Sequence, residues 1–372
     1  MVSYHRIVIK MGTSLLTGSS NHLDIGRISP LAEQIATLQK QGIEIVLVSS
    51  GAIAAGKYIM GMSKSIKDIP FRQVMAAVGQ SSLMHTYEEV FAPHNITVAQ
   101  ALLTRADINN RASYINARNT LLALLELHII PVINENDVIA TEEIEGAAFG
   151  DNDNLSAMVT NLIDADLLVL LGDVSGLYTA DPHLDPNARL IPRVETINAH
   201  IEQLAKGTIS KKGTGGMATK IQAARLATSC GATVIITDGV GKDVIIKLVN
   251  SEPIGTLFPP ITSKMEGRKR WMLSGLGCSG GKVKVDSGAV QAIKSHEGSL
   301  LPVGIKVIEG SFQRGQVIDI ADMNNKRIAC GISNYSSNEL AIIKGAHSSK
   351  IDELLGYHFG EEIVHRNNLV LV

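Results

Sequence analysis

Six short runs of this chain are almost unbroken in apolar residues: RIVIK (6–10), IEIVLVS (43–49), ITVAQALL (96–103), IIPVIN (129–134), DLLVLLG (166–172) and ATVIITD (232–238). A strand with one wet face alternates apolar and polar residues, whereas a strand covered on both faces does not. The six runs therefore predict strands buried between two layers. Between them, apolar residues recur at helical spacing over 28–42, 71–91, 111–128 and 217–231, and Gly42 and Gly231 fall where left-handed helix caps belong. Strand and helix in regular alternation predict an α/β domain, an open, mainly parallel sheet sandwiched by helices.

The texture changes near residue 259. PPITSKMEGRKRW, with two prolines and a basic cluster, opens a linker over 259–277 and closes a first domain over 1–258. Over 278–372, the segments GKVKVDSGAVQAI, GIKVIEGSF, GQVIDIADMNNKRIACGIS, ELAIIKG and EIVHRNNLVLV are short and punctuated by glycine, and several alternate apolar with polar residues. They predict a small β-rich barrel or roll. Neither part shows an internal repeat or a low-complexity tract.

Composition narrows the class without choosing a function. With 372 residues, 45% of them hydrophobic, the chain has material for two cores. A formal net charge of −2 gives no overall cationic field for nucleic acid or an anionic membrane. Cys230, Cys278 and Cys330 are far apart and form no C-x-x-C pair, so they indicate neither a zinc site nor a disulfide framework. Scattered thiols suit a reducing compartment. No run of 18 apolar residues occurs, and the opening MVSYHRIVIKMGTS has polar breaks where a signal peptide needs an apolar core. The expectation is a soluble cytoplasmic protein without a membrane partner.

In open parallel sheets, ligands bind outside the carboxyl ends of the strands, so the chemistry is sought there. The first run ends IKMGTS, with Lys10 at the strand tip and Gly12, Thr13 and Ser14 in the turn behind it. A surface lysine ahead of an ordinary turn would look the same. The second ends VSSGAIAAG, where small residues entering a helix either leave N–H groups open to an anion or simply pack tightly. The fourth ends INENDVIAT, with four polar residues from Asn134 to Asp137, and the fifth ends LLGDVSGLYTADP, with Asp173 at its tip. GDNDNLS, at 150–156, sets two aspartates and two asparagines before an apolar helical stretch. One side-chain oxygen is enough to cap a helix, which leaves the others for different work.

KKGTGGMATK (211–220) brings Gly213, Gly215 and Gly216 ahead of a helix, with Lys220 one turn in. Glycines let backbone N–H groups approach phosphate oxygens. The loop is no Walker A motif. It does mimic G-x-G-x-x-A, and Asp238 ends the following strand, as in a nicotinamide-binding fold. That fingerprint must follow directly on a buried strand, and IEQLAKGTISKK is not one. A lysine-bearing nucleotide loop fits better. No serine–histidine or cysteine–histidine pairing suggests itself. Two lysines, a glycine loop and several aspartates and asparagines suit phosphoryl transfer, where catalysis is mostly positioning and charge neutralisation.

IVIKMGTSLLTG, VSSGAIAAG, INENDVIAT, FGDNDNLSA, GLYTADP and GTGGMATK, in this order, resemble the amino acid kinase family. INEND together with GDNDNLSA is similar to the branch that phosphorylates the side-chain carboxylate of glutamate, rather than to aspartokinases or acetylglutamate kinases. Past the linker, GKVKVDSGAVQAI, GSLLPVGIKVIEGSFQRGQVIDI and GISNYSS resemble a PUA domain, so the likeness covers nearly the whole chain. It implies the amino acid kinase fold and transfer from ATP, with Mg²⁺, to L-glutamate, giving L-glutamyl 5-phosphate in the first step of proline biosynthesis.

Residue by residue, the resemblance implies a catalytic set of Lys10, Asp153 and Lys220, in which the aspartate holds two phosphate-contacting lysines. Ser50, Asp137 and Asn152 match glutamate-binding positions, Asp137 towards the α-ammonium group. Lys10, Gly172, Asp173, Thr214, Gly215, Gly216, Met217, Ala218, Thr219 and Lys220 match the nucleotide site. Gly150 lets the backbone approach closely, and the helix cap falls to Asp151 or Asn154. The metal ligands stay unassigned. Two departures stand out: Gly172 occupies a position where serine or threonine is common, and Ser175 replaces a longer or charged residue. The implied partners are a second copy of the chain (a dimer or tetramer), the reductase that consumes the acyl phosphate and, through the PUA module, RNA. RNA binding as the main activity is the alternative reading. Residues 278–372 hold ten Lys/Arg and ten Asp/Glu, no basic surplus, so a structural or regulatory module ranks above an RNA reader.

Overall fold

The computed structural model describes residues 4–371 apart from 21, 63–67, 141–151, 183, 207–215, 264–280 and 296–297. The chain divides into two units, Met1–Arg105 with Thr120–Lys264, and Ala106–Asn119 with Met265–Val372. In the first, each of the six apolar runs is a strand: β1 (Arg6–Met11), β2 (Glu44–Ser49), β3 (Val98–Leu103), β4 (Ile130–Glu135), β5 (Leu167–Gly172) and β6 (Thr233–Asp238). In five of them the side chains explain the missing alternation, whereas β3, at the edge of the sheet, has no fully buried residue and an exposed Gln100, so it lacks the expected cover on both faces. Ile7, Val8 and Ile9 and every residue from Leu167 to Leu171 have no exposed surface, because both faces are covered. Each such side chain contributes roughly 1.5–3 kcal/mol by leaving water.

The strand order is β3-β4-β2-β1-β5-β6-β7, where β7 (Thr256–Phe258) runs antiparallel to β6 and all other pairs are parallel. The three residues of β7 are too short a run to announce themselves in the sequence. β1 sits in the middle, with β2, β4 and β3 on one side and β5, β6 and β7 on the other. The winding therefore reverses at β1, and the carboxyl ends of β1 to β6 share one edge. A crevice at such a switch point is where this architecture receives ligands.

Ten α-helices fall in this part of the chain among the described residues: α1 (Thr13–Thr17), α2 (Ile25–Lys40), α3 (Ala52–Ile59), α4 (Ile69–Phe91), α5 (Arg105–Asn109), α6 (Arg111–Glu126), α7 (Asn152–Leu162), α8 (Ala199–Lys206), α9 (Met217–Ser229) and α10 (Val244–Val249), of which α5 from Ala106 and α6 up to Asn119 belong to the second unit. The turn expected behind Lys10 is α1, which starts after Gly12. α2 begins three residues ahead of the expected 28, which puts Pro30 inside the helix, and Gln34 Nε2 donates to the Pro30 carbonyl at 3.1 Å. Gly42 and Gly231 follow their helices with φ of 84° and 93°. α3 and α4 touch through their backbones. A Cβ on Gly79 would stand 1.8 Å from the Ala52 carbonyl oxygen, and one on Gly56 would stand 1.9 Å from that of Met75.

The second unit carries a five-stranded sheet in the order β12-β11-β10-β8-β9. Its strands are β8 (Gly281–Val285), β9 (Ile305–Gly310), β10 (Val317–Ala321), β11 (Arg327–Ile332) and β12 (Leu369–Leu371). Along β8, Val283 and Val285 are fully buried while Lys282 and Lys284 face outward, the alternation of a half-wet strand. ELAIIKG is not a strand but most of a helix, α12 (Ser337–Ile343), which follows α11 (Ser287–Lys294) and precedes α13 (Ile351–Leu355). The reason is local. Ser336 and Glu339 form a reciprocal capping box, with the Ser336 N–H donating to Glu339 Oε2 at 2.6 Å. Among the described residues, no helix is long and apolar enough to cross a membrane.

Candidate active site

Lys10 lies one residue before the end of β1, Asp153 is the second residue of α7 and Lys220 the fourth of α9. They are 3%, 0% and 6% exposed, and all three meet. Lys10 Nζ stands 2.6 Å from Asp153 Oδ1, and Lys220 Nζ stands 3.1 Å from Asp153 Oδ2. Two ammonium groups about 4 Å apart repel by about 4 kcal/mol at an effective dielectric of 20. One carboxylate with an oxygen for each offsets that repulsion and leaves the trio one positive charge in excess. The first turn of α7 favours the carboxylate through the helix dipole. Thr219 Oγ1 is 2.8 Å from both Asp153 Oδ2 and the Gly216 carbonyl oxygen. α9 starts at Met217, and its cap residue, Gly216, makes no side-chain bond to the first N–H groups, a helix start suited to an anion.

The two departures acquire structural meaning. A Cβ on Gly172 would stand 3.2 Å from Lys220 Cε, so glycine leaves the lysine its path. Ser175 Oγ donates to Asp238 Oδ2 at 2.5 Å, and the Val240 N–H donates to Oδ1 at 3.3 Å. Both Asp238 oxygens are thus engaged. Among the described residues, the stretch ahead of the glycine loop holds α8, which ends at Lys206, rather than the buried strand that a dinucleotide fingerprint follows.

On the other side of β1, Asn152 opens α7, and its Nδ2 lies 3.0 Å from Ser50 Oγ and 3.2 Å from Asn134 Oδ1. Ser50 follows β2, and Gly51 behind it needs its glycine, with φ at 107°. Asn134 belongs to this group although its sequence reads only as part of a polar loop. Its Oδ1 accepts the Glu135 N–H at 2.9 Å, and its Nδ2 donates to Gln80 Oε1 at 2.9 Å. Asp137 is half-buried in the loop after β4, Asp173 is exposed just past β5, and Met217 and Ala218 open α9. Gly150, Asp151, Gly213, Thr214 and Gly215 lie outside the described residues. Asn154 is the third residue of α7, inside the helix rather than at its cap. Among the described residues, no group of three or more His, Cys, Asp or Glu gathers that could hold a metal ion.

A buried, anion-seeking pair of lysines pinned at the switch point of a parallel sheet defines a phosphoryl-transfer protein, and comparison with known proteins agrees. Residues 5–238 match the amino acid kinase family, and residues 281–355 match the PUA domain. The glutamate 5-kinase of Dehalococcoides mccartyi strain CBDB1 is 54% identical over 369 residues, 99% of each chain. The glutamate 5-kinases of Herpetosiphon aurantiacus and Proteus mirabilis are each 47% identical, over 98% and 100% of both chains. This chain belongs to the amino acid kinase family, in its glutamate 5-kinase branch, with a PUA domain following. It is an ATP-using kinase of amino acid biosynthesis.

Proposed function

We propose that the chain transfers the terminal phosphoryl group of MgATP to the side-chain carboxylate of L-glutamate, giving ADP and L-glutamyl 5-phosphate, the first step of proline biosynthesis. The observation that carries this reading is the contact of Lys10 and Lys220 with one buried carboxylate, Asp153. The nucleophile needs no general base. A glutamate side chain with a pKa of about 4.3 is ionised in all but roughly one molecule in 500 at pH 7. What it needs is relief from repulsion by the triphosphate. In this reading a carboxylate oxygen bonds to the γ-phosphorus as the bond to the β,γ-bridging oxygen breaks. That bond's electron pair stays on ADP. Lys10 and Lys220 neutralise the equatorial and leaving oxygens, and Asp153 keeps them in place beforehand.

Ser50, Asn152 and Asp137 then hold the glutamate, Asp137 taking the α-ammonium group. Gly172, Asp173 and the stretch from Thr214 to Lys220 hold the nucleotide. The metal travels with ATP as part of the substrate. Residues 1–258 form the catalytic domain, and the module over 278–372, with its balanced charge, serves structure or regulation. The protein works in the cytoplasm as a dimer or tetramer.

The test is a trapping assay. Purified protein with ATP, Mg²⁺, hydroxylamine and glutamate should release ADP and accumulate the hydroxamate. Faster turnover with aspartate or N-acetylglutamate would move the chain to another acceptor and sink this reading.

A further inference from the structure

Helix α4 carries three polar side chains at seven-residue spacing, Gln73, Gln80 and Tyr87, in a helix whose neighbouring positions Met75, Ala76, Leu83, Val90 and Phe91 are buried in the core. Seven residues return to the same helix face with a drift of about 20°, so the three form one stripe. Each ends on the carboxyl edge of the acceptor side of the sheet. Gln73 Nε2 donates to the Val138 carbonyl at 2.9 Å, in the loop that bears Asp137. Gln80 Oε1 accepts from Asn134 at the end of β4. The Tyr87 hydroxyl lies 2.7 Å from Ser49 Oγ at the end of β2, and Tyr87 has no exposed surface.

The direction of these bonds is fixed by a backbone N–H that can only donate and a backbone carbonyl that can only accept. The Glu135 N–H makes Asn134 Oδ1 an acceptor, which leaves Asn134 Nδ2 as the donor to Gln80. The same Oδ1 takes Asn152 Nδ2, which also reaches Ser50 Oγ. Gln80 must therefore present its oxygen, and in doing so it orients Asn134, Asn152 and Ser50 in turn. Ser49 spends its one hydrogen on the Ser50 carbonyl at 2.9 Å, so Tyr87 is the donor to Ser49. This arrangement leaves Gln80 Nε2 and Asn152 Oδ1 buried with no partner among the described residues. A buried donor without a partner weakens folding, so packing alone is a poor reason for an amide at position 80. The backbone contact of α3 with α4 at Gly56 and Gly79 keeps the stripe at a fixed distance from Ser50.

Building on the reading of an amino acid acceptor, we propose that Gln80 and Tyr87 are positioning residues for the acceptor half-site: they set the orientation of Ser50, Asn134 and Asn152 and hence the affinity for the amino acid, not for the nucleotide. The test is steady-state kinetics of the full chain as wild type, Gln80→Met and Tyr87→Phe, with glutamate and ATP varied in turn. The expected result is a KM for glutamate raised roughly tenfold or more in each variant, the size of a lost buried hydrogen bond, with the KM for ATP within twofold. Gln80→Met should leave the melting temperature close to that of wild type, because it removes the orphaned Gln80 Nε2 but takes from Asn134 Nδ2 its acceptor, one unpaired donor exchanged for another. A glutamate KM within twofold of wild type, or both KM values rising together, overturns the proposal. If the wild-type chain does not turn over glutamate at all, the failure belongs to the acceptor assignment, and the same variants assayed with the acceptor that works decide the role of α4.

Discussion

Replacing Asp153 by asparagine isolates what its charge does. The side chain keeps its shape at a position with no exposed surface, but the trio with Lys10 and Lys220 goes from one excess positive charge to two. One amide face then turns an N–H towards an ammonium group that formerly met an oxygen at 2.6 or 3.1 Å. Removing one partner of a buried ion pair costs about 3–5 kcal/mol. For a unit of this size, each kcal/mol shifts the midpoint by about 2–4 °C, so melting should fall by about 6–20 °C. Turnover should fall further than for the loss of one lysine. One preorganised donor is worth about 10²–10³ in kcat, and here both lose their anchor. MgATP brings negative charge to the unbalanced lysines, so it should raise the melting temperature of the variant by more than it raises that of wild type. The assays are thermal unfolding with and without MgATP, and ADP release. A variant that melts within a degree of wild type and turns over within about fivefold of it, a loss well short of one donor's worth, would refute the reasoning.

Lys10→Met and Lys220→Met should each lose about 10²–10³ in kcat, and the double variant should lose less than the product, because the two lysines share one carboxylate. Gly79→Ala forces a methyl group onto the Ala52 carbonyl and should destabilise the first unit by about 1–3 kcal/mol or more, read by denaturant unfolding. Ser336→Ala removes the capping hydroxyl of α12 and should lower the stability of the second unit by about 1 kcal/mol while leaving ADP release unchanged. Burial raises the Tyr87 phenol well above its ordinary value of 10. The unfolded chain therefore loses that proton first, so stability holds below pH 10 and falls as pH rises above it. Tyr87→Phe should remove a share of that alkaline slope, about 1.4 kcal/mol per pH unit for one tyrosine.

Five of the six parallel strands were legible because burial on both faces leaves a mark that needs no partner, an apolar run of five to seven residues; β3 shows the same kind of run at the sheet edge without that burial. The lysines and Asp153 were legible through their place at strand ends and in family motifs. Asn134, Gln80 and Tyr87 were not. Each is a single polar residue whose meaning lies in a contact 54, 54 and 38 residues away, and a glutamine on a mostly apolar helix looks like solvent exposure until its partner is known. α12 was misread for a related reason. LAII has the look of a strand, and only the pairing of Ser336 with Glu339 decides for helix. The start of α2 slipped because a proline invites placement in the first turn, whereas Pro30 sits beyond it.

On the proposed assignment of the two half-sites, β1 divides the labour of the first unit. Gln80, Tyr87, Asn134 and Ser50 hang on β2, β4 and α4, while Gly172, Asp238 and Lys220 hang on β5, β6 and α9, with only β1 and α7 common to both wings. On that division, a relative can take up a new cargo by redrawing one wing and inherit the phosphate chemistry of the other untouched. A scaffold wound outward from one central strand lends itself to such diversification.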